Sequence, residues 1–207
     1  MVFIHPTSTA VIRRLIRPRL KYYGMGFEIE IKVRVAALEP IEAKLIENNA
    51  ELIADQDEHD VYFNAPHKDF AETDEALRLR YVNNQKCGKI MPPCITYKGP
   101  KVGREGFKAR EEIIVDLSSG EDFGVLLEKI GYRRTAAVDK HRKIYRVPQA
   151  IVTLDEIPGV GVFSEIEAEA GLSEEESIAV IEKIAEMAGI SGERLTKSYL
   201  EIVLEAQ

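Results

Sequence analysis

Between Glu28 and Val35 the chain alternates charged and aliphatic residues without a break, and this pattern restricts its fold more than any other. Successive side chains of an extended strand point to opposite faces. Glu28, Glu30, Lys32 and Arg34 therefore share one face, and Ile29, Ile31, Val33 and Val35 the other. Two carboxylates and a lysine in one file suit a divalent cation beside a phosphate, although any half-solvated antiparallel strand alternates in the same way. The pattern gains weight because it recurs. Arg78 and Arg80 share a face opposite Leu77, Leu79 and Tyr81, and Glu165-Ile166-Glu167 repeats the acidic file late in the chain.

A chain of 207 residues fits one domain with a real core. Its 45% hydrophobic and 30% charged content is that of an ordinary soluble globular protein. No apolar run approaches the ~20 residues that span a bilayer, so a cytoplasmic protein without membrane association is expected. Cys87 and Cys94 match no zinc-ligand spacing and read as reduced thiols. The formal charge of −7 conceals a basic leader: residues 1–24 hold Arg13, Arg14, Arg17, Arg19 and Lys21 and no acid. The acidic body argues against a nucleic-acid partner. The leader's alternatives are a targeting segment, an anion-binding arm, a disordered tail, or sequence upstream of a start at Met25. Its composition favours a poorly ordered extension without a catalytic role, followed by one domain over 25–207.

Along that domain, Ile41, Leu45, Ile46, Leu52 and Ile53 have helical spacing after Pro40. Strands are expected near 56–64, 75–83, 94–98, 107–117, 132–147, 150–156 and 161–169. Helices are expected over 121–130, ended by Gly131, from the Ser173/Glu176 capping box to about 188, and over 197–204. The class is α+β with a mainly antiparallel sheet. If helices cover the apolar outside of a closing sheet, the charged files line its interior, and about eight strands are enough to close a barrel. The strand around Lys140 and Arg142 resists this, because its other face offers Asp139, His141 and Lys143 rather than aliphatics.

The cationic set is Lys32, Arg78, Arg80, Lys98, Arg110, Lys140 and Arg142. Arginine offers phosphate a planar fork and lysine a point charge. The acidic set is Glu28, Glu30, Glu112, Asp155, Glu165 and Glu167, whose oxygens suit Mg²⁺ or Mn²⁺ rather than zinc. Each pair taken alone reads equally well as a solvated strand face. Gly159-Val160-Gly161 is not a dinucleotide loop, Gly99–Gly106 is not a Walker loop, and no nucleophile elbow occurs. His5, His59, His67 and His141 have no metal-ligand spacing and read as surface or loop residues.

Taken in order, these segments resemble the CYTH superfamily, the triphosphate-tunnel metalloenzymes that include class IV adenylyl cyclases and thiamine triphosphatases. Glu28-Ile-Glu-Ile-Lys32 is similar to the family's Glu-x-Glu-x-Lys signature. Asp60-Val-Tyr-Phe-Asn64, Asp69-Phe70 and Thr73–Arg80 resemble the class IV branch in particular. Thr96–Lys101, Ala109–Glu112, Val138–Arg142, Leu154–Ile157, Gly161–Glu167 and Ser198-Tyr199-Leu200 follow in family order. Lys68 stands where the branch often has arginine, Pro158-Gly159-Val160 departs from its pattern, and residues 1–24 have no counterpart.

The resemblance implies a closed, eight-stranded antiparallel tunnel holding a triphosphate. Glu28, Glu30, Glu165 and Glu167 would hold Mg²⁺ or Mn²⁺, with Asp155 and Glu112 completing or orienting the acidic side. Lys32, Arg78, Arg80, Lys98, Arg110, Lys140 and Arg142 would grip phosphate, and Lys32, Arg110, Glu112 and Asp155 would act in the reaction. The expected activity is conversion of ATP to cyclic AMP and pyrophosphate. The alternatives are a thiamine triphosphatase or inorganic tripolyphosphatase, and a polyphosphate- or nucleotide-binding module without turnover. A homodimer is compatible with the resemblance.

Overall fold

The computed structural model describes residues 29–86, 88–101, 107 and 110–206. The basic leader, Glu28 and Cys87 lie outside the described residues; Cys94 is buried as a free thiol. Nine strands form one antiparallel sheet: β1 (Glu30–Arg34), β2 (Glu51–Asn64), β3 (Ala76–Asn84), β4 (Lys89–Lys98), β5 (Glu112–Asp116), β6 (Arg133–Val147), β7 (Ala150–Ile157), β8 (Gly161–Ala168) and β9 (Glu193–Arg194). Four helices accompany them among the described residues: α1 (Glu39–Glu47), α2 (Gly120–Lys129), α3 (Glu174–Ala188) and α4 (Tyr199–Glu205).

The strand order is β5-β4-β3-β2-β6-β7-β8-β1-β9. This differs from the expected closed barrel of eight strands: a ninth short strand pairs with Val33 and Arg34 of β1, and no ladder joins β5 to β9 among the described residues. The sheet nevertheless curls strongly. Glu30 on β1 and Lys98 and Glu112 on β4 and β5 line one cavity, although they come from opposite ends of the strand order.

Helices cover the convex side, as amphipathic faces require. Ile41 and Leu45 of α1 and Ile181, Ile184 and Ala185 of α3 share a core with Ile31, Val33, Val152, Leu154 and Ile166 of the sheet. Leu127 of α2 packs with Val61, Phe63, Leu79 and Ile95. The capping box of α3 forms as expected, with Ser173 and Glu176 each accepting from the other's backbone N–H, and Gly189 ends the helix in the left-handed conformation (φ 65°). No helix among the described residues is long and apolar enough to cross a membrane.

Several boundaries differ from the sequence pattern: β5 covers only Glu112–Asp116 of the strand expected over 107–117, with Arg110 and Glu111 outside it, and two further differences have local causes. α1 stops at Glu47, and Leu52 and Ile53 belong to β2, because Asn49 takes a left-handed turn (φ 59°) between them. β4 begins at Lys89, well before 94, and carries Pro92 and Pro93 opposite a register shift between Arg80 and Val82, where a missing N–H is tolerated. The Pro158-Gly159-Val160 segment is a tight connection, with Val160 N–H donating to Ile157 O (3.0 Å) and Gly159 at φ 74°.

The strand that lacked aliphatics on its second face is also explained. The outward side chains of β6 meet polar neighbours: His141 lies 3.0 Å from Asp55 and 2.8 Å from Asp57, His59 lies 2.6 Å from Asp139, and Lys143 donates to Glu42 (2.8 Å).

Candidate functional site

Antiparallel register decides which side chains share the concave face. Directly opposed residues point the same way, so Glu30 stands opposite Glu167, Lys32 opposite Glu165, and Glu165 opposite Thr153. Arg142 faces Asp155 on one side and Gln56 on the other, Lys140 faces Glu58, and Asp60 faces Arg80. Arg78 stands opposite Thr96, and Lys98 opposite Glu112.

The result is one charged cavity. Glu30, Lys32, Arg78, Arg80, Lys98, Arg110, Glu112, Lys140, Arg142, Glu165 and Glu167 all line it. Of the residues singled out from the sequence, Glu28 is outside the described residues, and Asp155 sits fully buried behind the lining (0% exposed).

Asp155 is engaged on both oxygens. It receives two bonds from Arg142 (2.5 Å each), one from Tyr199 Oη (2.6 Å) and one from Thr153 Oγ1 (3.2 Å). Arg142 continues to Glu165 (2.7 Å). Burial alone would disfavour the guanidinium's charge, but Asp155, Glu58 and Glu165 more than offset it and raise its pKa. Lys32 lies 3.2 Å from Glu165, donates to Lys197 O (3.2 Å) and stands 3.6 Å over the Tyr199 ring. That cation–π contact and the Asp155 hydrogen bond make Tyr199, the first residue of α4, a wall of the site. Burial, with Asp155 and Glu165 nearby, raises the phenol pKa well above its ordinary value and keeps it protonated.

A second network lies deeper. Arg80 forks onto Asp60 (2.6 and 2.7 Å) and reaches Glu58 with its remaining nitrogen (2.7 Å). Lys140 contacts Glu58 (2.6 Å) and Asp60 (3.3 Å). Burial pushes both carboxyls up, but Arg80 and Lys140 outweigh it and hold them below the usual carboxylate range. Burial and the neighbouring Arg80 pull the Lys140 ammonium down, although both acids oppose that shift. Lys98 is likewise lowered by burial, against its partner Glu112. Near the mouth, Arg110 lies 3.4 Å from Asp74, and Lys101 bridges Asp74 (3.1 Å) and Glu201 of α4 (3.0 Å).

Glu58, Lys101, Thr153 and Tyr199 were not read from the sequence as site residues, and Asp60 only as part of a motif. For Glu58 and Asp60 the signal was the period-two file Gln56-Glu58-Asp60-Tyr62. For Tyr199 there was only its place in the last family motif.

The acidic side fits a hard cation by donor chemistry. Glu30 and Glu167 stand directly opposed, and carboxylate oxygens are the ligands Mg²⁺ and Mn²⁺ prefer. Among the described residues no group of three or more His, Cys, Asp or Glu side chains is placed to hold a metal ion, and Glu28 lies outside them.

The curled antiparallel sheet thus gathers lysines, arginines and carboxylates from several strands around one concave cavity. The CYTH domain profile matches residues 26–199, and the chain belongs to that family. It is 32% identical to a candidate adenylate cyclase of Methanocaldococcus jannaschii over 180 residues, covering 84% of this chain and 97% of the relative. It is 27% identical to the adenylate cyclase CyaB of Aeromonas hydrophila over 189 residues, covering 86% and 90%. Among solved structures, a Pyrococcus horikoshii protein superimposes with a TM-score of 0.74 at 32% identity, over 87% of this chain and 99% of that one. A Hippeastrum protein, described as a candidate adenylyl cyclase with dominant triphosphatase activity, has the same fold (TM-score 0.65, 20% identity, 87% and 96% covered).

Proposed function

We propose that the chain is a metal-dependent enzyme acting on triphosphates in this cavity, and that its reaction is cyclisation of ATP to cyclic AMP and pyrophosphate. The observation that carries the reading is the convergence of Lys32, Arg78, Lys98, Arg110 and Arg142 with Glu30, Glu165 and Glu167 on one concave face. Eight lysines and arginines line this cavity, several of them held by protein carboxylates, and together they offer a polyanion charge-assisted donors from several strands. In this reading the curled sheet acts as a tunnel along which the phosphates lie.

Glu28, Glu30, Glu165 and Glu167 would hold Mg²⁺ or Mn²⁺, which when bound supplies charge to the phosphate oxygens and their attacking group. Lys32 and Arg142, fixed by Tyr199, Glu165 and Asp155, present charge-assisted donors to the phosphates. Asp155 acts by orienting Arg142, since its oxygens are already occupied by protein donors. Glu112 orients Lys98, and Arg110 reaches the outer phosphates from the mouth. In the cyclase reaction the ribose 3′-hydroxyl gives up its proton to solvent as its oxygen bonds to the α-phosphorus, the bond from the α-phosphorus to the α,β-bridging oxygen breaks, and pyrophosphate leaves carrying the bridging oxygen. Such chemistry is chiefly positioning and charge stabilisation.

The cyclase reading draws on the Aeromonas and Methanocaldococcus relatives. Attack by water on a terminal phosphorus is the second reading, favoured by the triphosphatase activity described for the Hippeastrum protein. Chromatography of the products from labelled ATP with Mg²⁺ or Mn²⁺ tests the choice. Cyclic AMP with pyrophosphate is expected. ADP and phosphate without cyclic AMP would replace the cyclase with a triphosphatase, and tight ATP binding without any product would leave a binding module.

A further inference from the structure

The cations of this cavity are not equally available to a ligand. Arg80 has its fork on Asp60 and its third nitrogen on Glu58, and Lys140 touches both acids. Glu58 and Asp60 are themselves almost fully buried, at 3% and 1% exposure, and approach these cations from β2. Arg78, by contrast, stands 3.8 Å from Asp60 and 3.4 Å from Thr96 Oγ1, with the Tyr62 hydroxyl also against it, and its Nε has no hydrogen-bond partner among the described residues. Arg80 and Lys140 are therefore neutralised from β2, as Arg142 is by Asp155 and Glu165, while Arg78 on the same strand as Arg80 has longer contacts to Asp60 and Thr96.

We propose that Glu58 and Asp60 are positioning residues that limit how much negative charge the cavity accepts, so that it favours triphosphates esterified at one end, as in a nucleotide, over inorganic tripolyphosphate. The inference rests on the triphosphate reading above and deepens it by naming the substrate class. Tripolyphosphate carries one more ionisable oxygen than an esterified triphosphate, because the oxygen bonded to carbon in the ester is free in the inorganic ion. With Arg80 and Lys140 each in ion contact with Glu58 and Asp60, that extra charge meets a neutralised cavity floor rather than unpaired cations. Neutralising Glu58 removes one negative charge and releases one Arg80 nitrogen and the Lys140 ammonium toward the ligand. Gln at position 58 keeps the acceptor for the Gln56 amide, which now donates to Glu58 at 2.6 Å.

The test is calorimetry with ATP and with inorganic tripolyphosphate at fixed free Mg²⁺, on the full chain and on Glu58→Gln, Asp60→Asn and Glu58→Asp. The quantity read is the ratio of the two dissociation constants, which does not depend on the fraction of folded protein. The wild type is expected to bind ATP at least as tightly as tripolyphosphate. Glu58→Gln and Asp60→Asn should shift the ratio toward tripolyphosphate on the order of tenfold, the interaction of two unit charges ~12 Å apart at an effective dielectric of ~20, and Glu58→Asp should leave it near the wild-type value. A wild type that prefers tripolyphosphate overturns the inference without any variant. So does an unchanged ratio in whichever neutral variant folds, or an equal shift in Glu58→Asp. A wild type that binds neither ligand removes the triphosphate reading itself, which is a different result.

Discussion

Arg78 and Arg80 sit two residues apart on one strand face, look equivalent in the sequence, and do different work. Arg80 is the buried partner of Asp60 and Glu58, and removing it leaves two acids short of their principal counter-ion. Breaking a buried pair from one side typically costs about 3–5 kcal/mol. Arg80→Ala is therefore expected to lose stability of that order in urea melts, whereas Arg78→Ala melts near the wild type and loses affinity for triphosphate. Acid titration tests the same network. The Glu58 and Asp60 carboxyls are depressed in the folded state, so the unfolded chain takes up protons first as pH falls. Their stabilisation is present above the ordinary carboxylate values of about 4 and is lost as pH falls through the folded values. Asp60→Asn should flatten the decline of unfolding free energy below about pH 5, measured by urea melts across that range. An unchanged slope would separate these acids from acid stability. The alternating charged files made the cationic set legible in the sequence, but not the neutralisation of Arg80 and Lys140. That depends on β2 lying between β3 and β6, which no local pattern encodes.

Elements with their own chemical punctuation were legible from the chain alone. α3 has its capping box and its terminal glycine where Ser173, Glu176 and Gly189 stand. α1 was read too long because Leu52 and Ile53 continue its apolar spacing; the break is the Asn48-Asn49 turn, where asparagine adopts the left-handed conformation. β4 is longer than the strand expected over 94–98: it continues back to Lys89 through Pro92 and Pro93, which a register shift accommodates. The two capping boxes separate an element that only supports the fold from one that also walls the site. Ser198 caps α4 as Ser173 caps α3, but α4 delivers Tyr199 to Lys32 and Asp155. Either serine changed to alanine should cost about 1 kcal/mol of stability. Only Ser198→Ala should also weaken ATP binding, as read by calorimetry; equal affinities for both variants would make α4 a passive cover.

At the scale of the molecule, the sheet order was beyond the sequence, because strand neighbours here are far apart in the chain: β2 pairs with β6, and β1 with β8. What the sequence carried was the segregation of charge to one face, from which a charged interior follows once the sheet curls. The ninth strand left no readable signal, being a two-residue ladder of Glu193 and Arg194 against β1. The family match begins at residue 26, and the basic leader precedes every element of the site. Removal of residues 1–24 is therefore expected to leave the melting temperature and kcat/KM within about twofold of the full chain; a large fall in either would make the leader part of the domain.

The central claim is that the cations of one curled face hold a chain of three phosphates. Calorimetric titration of the wild type and of Arg78→Ala with ATP, ADP and AMP at fixed free Mg²⁺ tests it most directly. Affinity is expected to rise steeply from AMP to ATP, with a loss in Arg78→Ala of about 1.5–3 kcal/mol for ATP that shrinks toward AMP. Equal affinities for the three nucleotides, or equal losses across them, would contradict it.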